Sequence, residues 1–229
     1  MAGTARRVLA IDGPAGAGKS KVARRVAEAL GFAHLDTGAM YRAVTYAALT
    51  RGVGTRDEAG LAALVRGLAL RVDRAGRVWL DGQDVTSHLR TPAVSAAVSA
   101  VSSVAAVRSE MARHQRAFAE REGPVVAEGR DMSTVVVPDA ELKVYLDASP
   151  EERARRRVLE QGGEPTPEAV ARMRDQQGER DRLDSTRPLA PLSRAPDAWY
   201  LDTTGLTLEE VVARVLLRVR SPPHPADGR

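Results

Sequence analysis

The 229-residue chain contains neither cysteine nor asparagine. Without cysteine it cannot form disulfides, thiolate metal sites or a cysteine nucleophile. Without asparagine it cannot carry the Asn-Lys-x-Asp element by which GTPase switches read guanine. Lysine is nearly absent as well: only Lys19, Lys21 and Lys143 are lysines, and every other cation is arginine. Arginine presents a planar fork of donors suited to phosphate and carboxylate. Coding bias accounts for most of the excess, so each arginine is argued by position. No apolar run approaches the roughly 18 residues of a membrane span, and the N-terminus passes from two arginines straight into "VLAID" with no signal-peptide apolar region. A cytoplasmic location is expected.

A chain of this length with 43% hydrophobic residues supports one sizeable core with appendages. Short apolar runs of β type alternate with helical patterns, which predicts an α/β fold whose parallel sheet is covered by helices on both faces. Five strands are expected, at "VLAID", "FAHLD", "PVVAEG", "LKVYLDAS" and "AWYLDTT". The alternation in "LALRVD" and "RVWLDG" around "RAG" predicts an antiparallel hairpin, an insertion into the parallel scheme. "AVSAAVSAVSSVAAV" reads as helix running into "RSEMARHQRAFAERE". Ser149, Pro150 and Glu152 predict a capped helix start with a capping box, and Thr166 with Pro167 another start. Residues 150–187 thus form a helical hairpin. It holds nine arginines and nine acids, a balance that argues against a one-signed nucleic-acid stripe. Thr207 and Glu210 predict a capping box for a last core helix, and 221–229 a disordered tail.

"GPAGAGKS", residues 13–20, satisfies the G-x-x-x-x-G-K-[ST] pattern between a predicted strand and a predicted helix. In such a loop Gly13, Pro14, Ala15, Gly16, Ala17 and Gly18 turn backbone N–H groups toward phosphate oxygens, and the helix start adds partial positive charge. Lys19 bridges the outer phosphates and the Ser20 hydroxyl ligates Mg²⁺. Lys21 follows in the first helical turn. The loop implies nucleotide triphosphate binding and leaves the phosphate acceptor open, because small-molecule kinases and motor or repair ATPases share it.

Four further clusters fall beyond predicted strand ends or in predicted appendages, where open α/β sheets bind ligands. Thr37 and Arg42 lie in "DTGAMYR", Arg130 and Asp131 in "EGRD", and Ser99 and Arg108 in the helical region after the insertion. In "RDRLDSTR", Arg180, Asp184 and Arg187 recur at i, i+4 and i+7, on one helical face.

These motifs resemble the bacterial cytidylate (CMP) kinases, P-loop nucleoside monophosphate kinases, and the resemblance extends to about residue 218. It rests on "IDGPAGAGKS", "LDTGAMYRA", "DGQDVTSHLR", "VRSEMARHQRAFA", "EGRDMSTVVVPDAELKVYLDASPEERARRR" and "RDRLDSTRPLAPL". It implies a single P-loop NTPase-type domain on a five-stranded parallel sheet. The core would span about 6–64, 101–149 and 188–220, with an acceptor-binding insertion near 65–100 and a lid near 150–187. It further implies cytosine contacts at Ser99, Arg108 and Asp131, ribose contacts at Arg180 and Asp184, and monophosphate contacts at Arg42, Arg130 and Arg187, with Thr37 lining the acceptor site. Two departures stand out: Lys21 replaces the usual Ser or Thr, and Ser133 a common glycine.

The implied reaction is transfer of the γ-phosphoryl group of MgATP to CMP or dCMP in a monomer, with no nucleic-acid or membrane partner. Lys19 and lid arginines such as Arg153 and Arg157 would neutralise developing charge. The alternatives are a P-loop kinase for UMP, AMP or another metabolite, and an ATPase or switch acting on a macromolecule.

Overall fold

The computed structural model describes residues 7–221. The tail expected at 221–229 lies, but for Ser221, outside the described residues. The chain runs through β1 (Val8–Asp12), α1 (Lys19–Leu30), β2 (Ala33–Asp36), α2 (Thr37–Thr50), α3 (Glu58–Gly67), β3 (Leu70–Val72), β4 (Val78–Leu80) and β5 (Gln83–Asp84). It continues through α4 (Pro92–Ser103), α5 (Ala105–Glu122), β6 (Val125–Gly129), β7 (Leu142–Asp147), α6 (Pro150–Glu160), α7 (Pro167–Thr186), β8 (Trp199–Asp202) and α8 (Leu208–Arg220).

Five strands form a parallel sheet in the order β2-β6-β1-β7-β8. β1 is central and all five of its residues are buried. Alternate side chains face opposite layers: Leu9 and Ile11 pack with Val22 and Val26 of α1 and Val211 and Val215 of α8, while Val8 and Ala10 join the layer built by α2, α4 and α5. Covered on both faces, the strand is apolar from Val8 to Ile11, and only its last residue, the buried Asp12, is charged in type. α1 ends at Gly31, whose left-handed backbone lets its N–H return to the Ala27 and Glu28 carbonyls.

The insertion is antiparallel as expected, with Leu70 opposite Leu80 and Val72 opposite Val78, and β5 adds a short third strand. Leu70, Val72, Val78 and Leu80 are buried in the same apolar cluster as α2 and α5, so the small sheet shares the main core.

The continuous helix expected over the Ala/Ser/Val stretch is broken. α4 and α5 meet at Val104 with a bend of 96°. Side chains serve the last carbonyls of α4: the Ser102 and Ser103 hydroxyls donate to the Ser99 and Ala100 carbonyls, and Arg108 Nη1 of α5 donates to the Ser102 carbonyl at 3.2 Å. Side chains that satisfy the last carbonyls end the backbone ladder, and Val104 is extended and buried. No single described helix is long and apolar enough to cross a membrane.

The helical hairpin forms as α6 and α7. Its first capping box is only half made: Ser149 Oγ accepts from the Glu152 N–H, but the Glu152 carboxylate turns to Arg155 and Arg156, and the Ser149 N–H donates to Thr204 Oγ1. The box at Thr207 and Glu210 is complete.

Candidate active site

The phosphate loop leaves β1 at Gly13, whose close approach to β7 admits no side chain: a Cβ there would stand 2.0 Å from the Leu146 carbonyl oxygen. At Gly16, with a φ of +79°, a Cβ would stand 2.9 Å from the Arg153 carbonyl oxygen. The loop is therefore gripped by the helical hairpin from behind. Arg153 Nη1 donates to the Ala15 carbonyl at 2.9 Å and pairs with Asp181, which accepts from the Ala15 N–H at 2.9 Å.

Lys19 is buried and its Nζ donates to the Pro14 carbonyl at 2.7 Å. Burial, with the Arg130 charge nearby, lowers its pKa to about 7 against the opposing pull of Glu128, Asp12 and Asp181. Glu128, at the end of β6, is pushed up to about 7 by burial and by Asp36, although Lys19 and a Ser20 hydrogen bond oppose the rise. Its Oε1 is buried without a partner. The Glu128 backbone carbonyl accepts from Thr37 Oγ1 at 2.7 Å.

Loop, sheet edge, insertion and hairpin surround one cavity of about 660 Å³. Ala15, Gly16, Gly18, Lys19, Ser20 and Lys21 line its donor end; Gly13, Pro14 and Ala17 shape the loop without lining the cavity. At the other end Thr37, Arg42 and Ser99 meet Arg130 and Asp131, and α7 contributes Arg180 and Asp184, with Arg187 following it. Arg108 completes this wall: its Nη2 lies 2.6 Å from Asp131 Oδ2, with its guanidinium over the Tyr41 ring at 5.3 Å.

Asp184 joins the arginines, with Arg130 Nε at 3.0 Å and Arg187 Nη1 at 3.3 Å. Burial would raise its pKa, but Arg130, Arg180 and Arg187 outweigh it and hold the carboxyl below its usual value. Arg180 is lowered to about 10 by burial and by Arg130 and Arg42. Arg42 Nε, Arg180 Nε and Arg187 Nη2 are buried without partners. Desolvated guanidiniums that crowd together with free N–H groups form a site for a polyanion.

Two hairpin arginines part company. Arg157 lines the cavity and pairs with Glu160 at 2.6 Å, whereas Arg153 is spent behind the loop on Ala15, Ala148 and Asp181. The sequence reading missed Arg156, which lines the cavity and reaches Thr203 at 2.9 and 2.6 Å, and Arg90, which meets Asp36 at 3.2 Å. Asp181 also lies within "RDRLDSTR", but one residue off the helical face shared by Arg180, Asp184 and Arg187, so that face pattern carries no signal for it.

The sequence profile of the family described as "Cytidylate kinase" matches residues 9–221. The chain belongs to the cytidylate kinase family. The cytidylate kinase of Pelotomaculum thermopropionicum is 50% identical over 215 residues, covering 92% of this chain and 95% of the relative. That of Geobacillus kaustophilus is 50% identical, covering 92% and 96%. An uncharacterized protein of Eubacterium ventriosum shares the fold with a TM-score of 0.53 at 11% identity, covering 94% of this chain and 99% of that one. As a member of the cytidylate kinase family the protein is an ATP-dependent nucleoside monophosphate kinase.

Proposed function

We propose that the protein transfers the γ-phosphoryl group of MgATP to CMP or dCMP, giving ADP and the diphosphate. The observation that carries this reading is the guanidinium group of Arg42, Arg130, Arg180 and Arg187 at the end of the cavity opposite the phosphate loop, with unpartnered N–H groups on three of the four. An acceptor phosphate held there faces the donor phosphates. An acceptor oxygen attacks the γ-phosphorus, the bond to the β–γ bridging oxygen breaks, and ADP carries that oxygen away.

The base is read by Arg108, Asp131 and Ser99. A carboxylate accepts from the cytosine amino group and a guanidinium donates to ring acceptors. Arg180 and Asp184 hold the ribose. Lys19 and the Gly16 to Ser20 backbone hold the donor phosphates, and Arg157 stands where it neutralises charge that develops during transfer. A divalent cation fits beside them: the Ser20 hydroxyl and the unpartnered Glu128 Oε1 are hard oxygen donors of the kind Mg²⁺ takes. Bound Mg²⁺ would offset the charge of the donor phosphates. Positioning and charge neutralisation supply the catalysis, with no covalent intermediate.

The test is ADP production from ATP with no acceptor and then with CMP, dCMP, UMP, AMP and shikimate in turn. Production that depends on the cytidine nucleotides is expected. Acceptor-independent hydrolysis would favour an ATPase, and preference for any other acceptor would overturn the assignment.

A further inference from the structure

Asp12 is the last residue of β1 and is fully buried. Its neighbour across the sheet is Gly129, after which the chain leaves β6 through Arg130 and Asp131 and turns back. The turn lands on Asp12. Oδ1 accepts from the Met132 N–H at 2.9 Å, and Oδ2 accepts both the Ser133 N–H at 2.7 Å and the Ser133 hydroxyl. Ser133 itself is 2% exposed. The carboxylate thus ties two segments 120 residues apart. One begins the phosphate loop at the next residue, and the other has just presented Arg130 and Asp131 to the cavity.

We propose that Ser133 is a positioning residue for phosphoryl transfer, its hydroxyl bond to Asp12 fixing Arg130 and Asp131 relative to the phosphate loop. The proposal rests on the kinase reading above. The backbone N–H groups of residues 132 and 133 would meet Asp12 whatever the side chains, so the serine's own contribution is the third donor. Burial pushes the Asp12 carboxyl above its usual range, and the Ser133 hydroxyl bond opposes that rise more than either backbone bond does. An ionised carboxyl without water needs its lone pairs filled, and bonds to a charged acceptor are the strong ones. The charged and titratable groups facing Asp12 are Lys19 from α1, Asp131 from the same turn and Tyr145 from β7. The far end of the turn is held independently, by Arg116 of α5 on the Val135 and Val136 carbonyls at 2.8 and 2.9 Å. Loss of the Ser133 hydroxyl therefore loosens the near end, which carries Arg130 and Asp131 and keeps only the two backbone donors on Asp12, while the turn stays attached to α5. Transfer between two phosphates is sensitive to such slack, because the attacking oxygen must stay in line.

The experiment compares wild type with Ser133→Ala and Ser133→Gly in steady-state kinetics with MgATP and CMP, together with thermal melting and the ratio of ADP formed to CDP formed. Both variants are expected to lower kcat roughly tenfold, with KM for MgATP nearly unchanged, and to raise the ratio as more γ-phosphoryl is lost to water. A merely structural serine would lower the melting temperature or the active fraction without moving the ratio. An unchanged ratio, or kcat within about twofold of wild type, would overturn the positioning role. Asp12→Asn combined with Ser133→Ala should be no worse than Asp12→Asn alone, since the two residues act through one contact; losses that add would overturn it. A wild type that makes no CDP would instead overturn the kinase reading, and this role with it.

Discussion

Arg130 Nε lies 3.0 Å from Asp184 Oδ2, joining the loop after β6 to the last turn of α7 over 54 residues of chain. One carboxylate thereby organises arginines from two elements, since Arg187 also reaches it. Asp184→Ala should leave those guanidiniums without their organising charge and raise the Kd for CMP by roughly 100-fold, leaving MgATP within about threefold. Titration calorimetry with each nucleotide separates the cases. Equal losses for both would make the contact a structural ion pair.

Arg187 is fixed by its Nε bond to the Ala190 carbonyl at 2.7 Å, while its Nη2 remains unpartnered and 3.8 Å from Asp131 Oδ1. A pinned guanidinium with a free donor is suited to holding charge in one place. Arg187→Ala is expected to cut kcat by about 100-fold or more while ATP binding stays near wild type. An unchanged turnover removes its role.

The two hairpin arginines named from sequence should separate by what they damage. Arg153→Ala breaks a buried pair behind the phosphate loop and should cost about 3 kcal/mol of stability along with ATP affinity. Arg157→Ala breaks only a pair at the cavity edge, and should lower kcat while changing stability by less than about 1 kcal/mol. Denaturant unfolding and kinetics on both variants check this; an Arg153→Ala protein of wild-type stability would show that the loop needs no support from behind.

Nucleotide binding should move protons in opposite directions on the two sides of neutrality. In the free protein Lys19 titrates near 7, so at pH 8 it is largely neutral, and phosphates that favour its charged form make binding take up a proton. Glu128 also titrates near 7, so at pH 6 it is largely protonated, and a cation brought beside it makes binding release one. Calorimetry in buffers of different ionisation enthalpy at the two pH values reads both signs. Proton uptake absent at pH 8 would mean that Lys19 is already charged before ATP arrives.

The parallel strands were legible because a strand covered on both faces is mostly apolar, as "VLAI" and "VVA" are before their closing acids, Asp12 and Glu128. The phosphate loop was legible because its chemistry depends on residue type at fixed spacing. Helix caps were legible in part: Thr207 and Glu210 close their box, but Glu152 had nearer arginines to pair with, and a propensity rule does not weigh such competitors. The break at Val104 was hidden because Ser, Ala and Val fit a continuous helix locally. It depends on an arginine from the next helix taking the Ser102 carbonyl.

The strands, the phosphate loop and the family could be read from the chain alone, since they follow from hydrophobic period and from motifs whose residues are neighbours in it. Which of two nearby arginines faces the cavity, what fills the space behind Gly16, and why Ser133 sits on Asp12 became visible only in the folded molecule. Those are contacts between segments far apart in sequence, and side-chain direction and burial at such contacts depend on the whole packed fold.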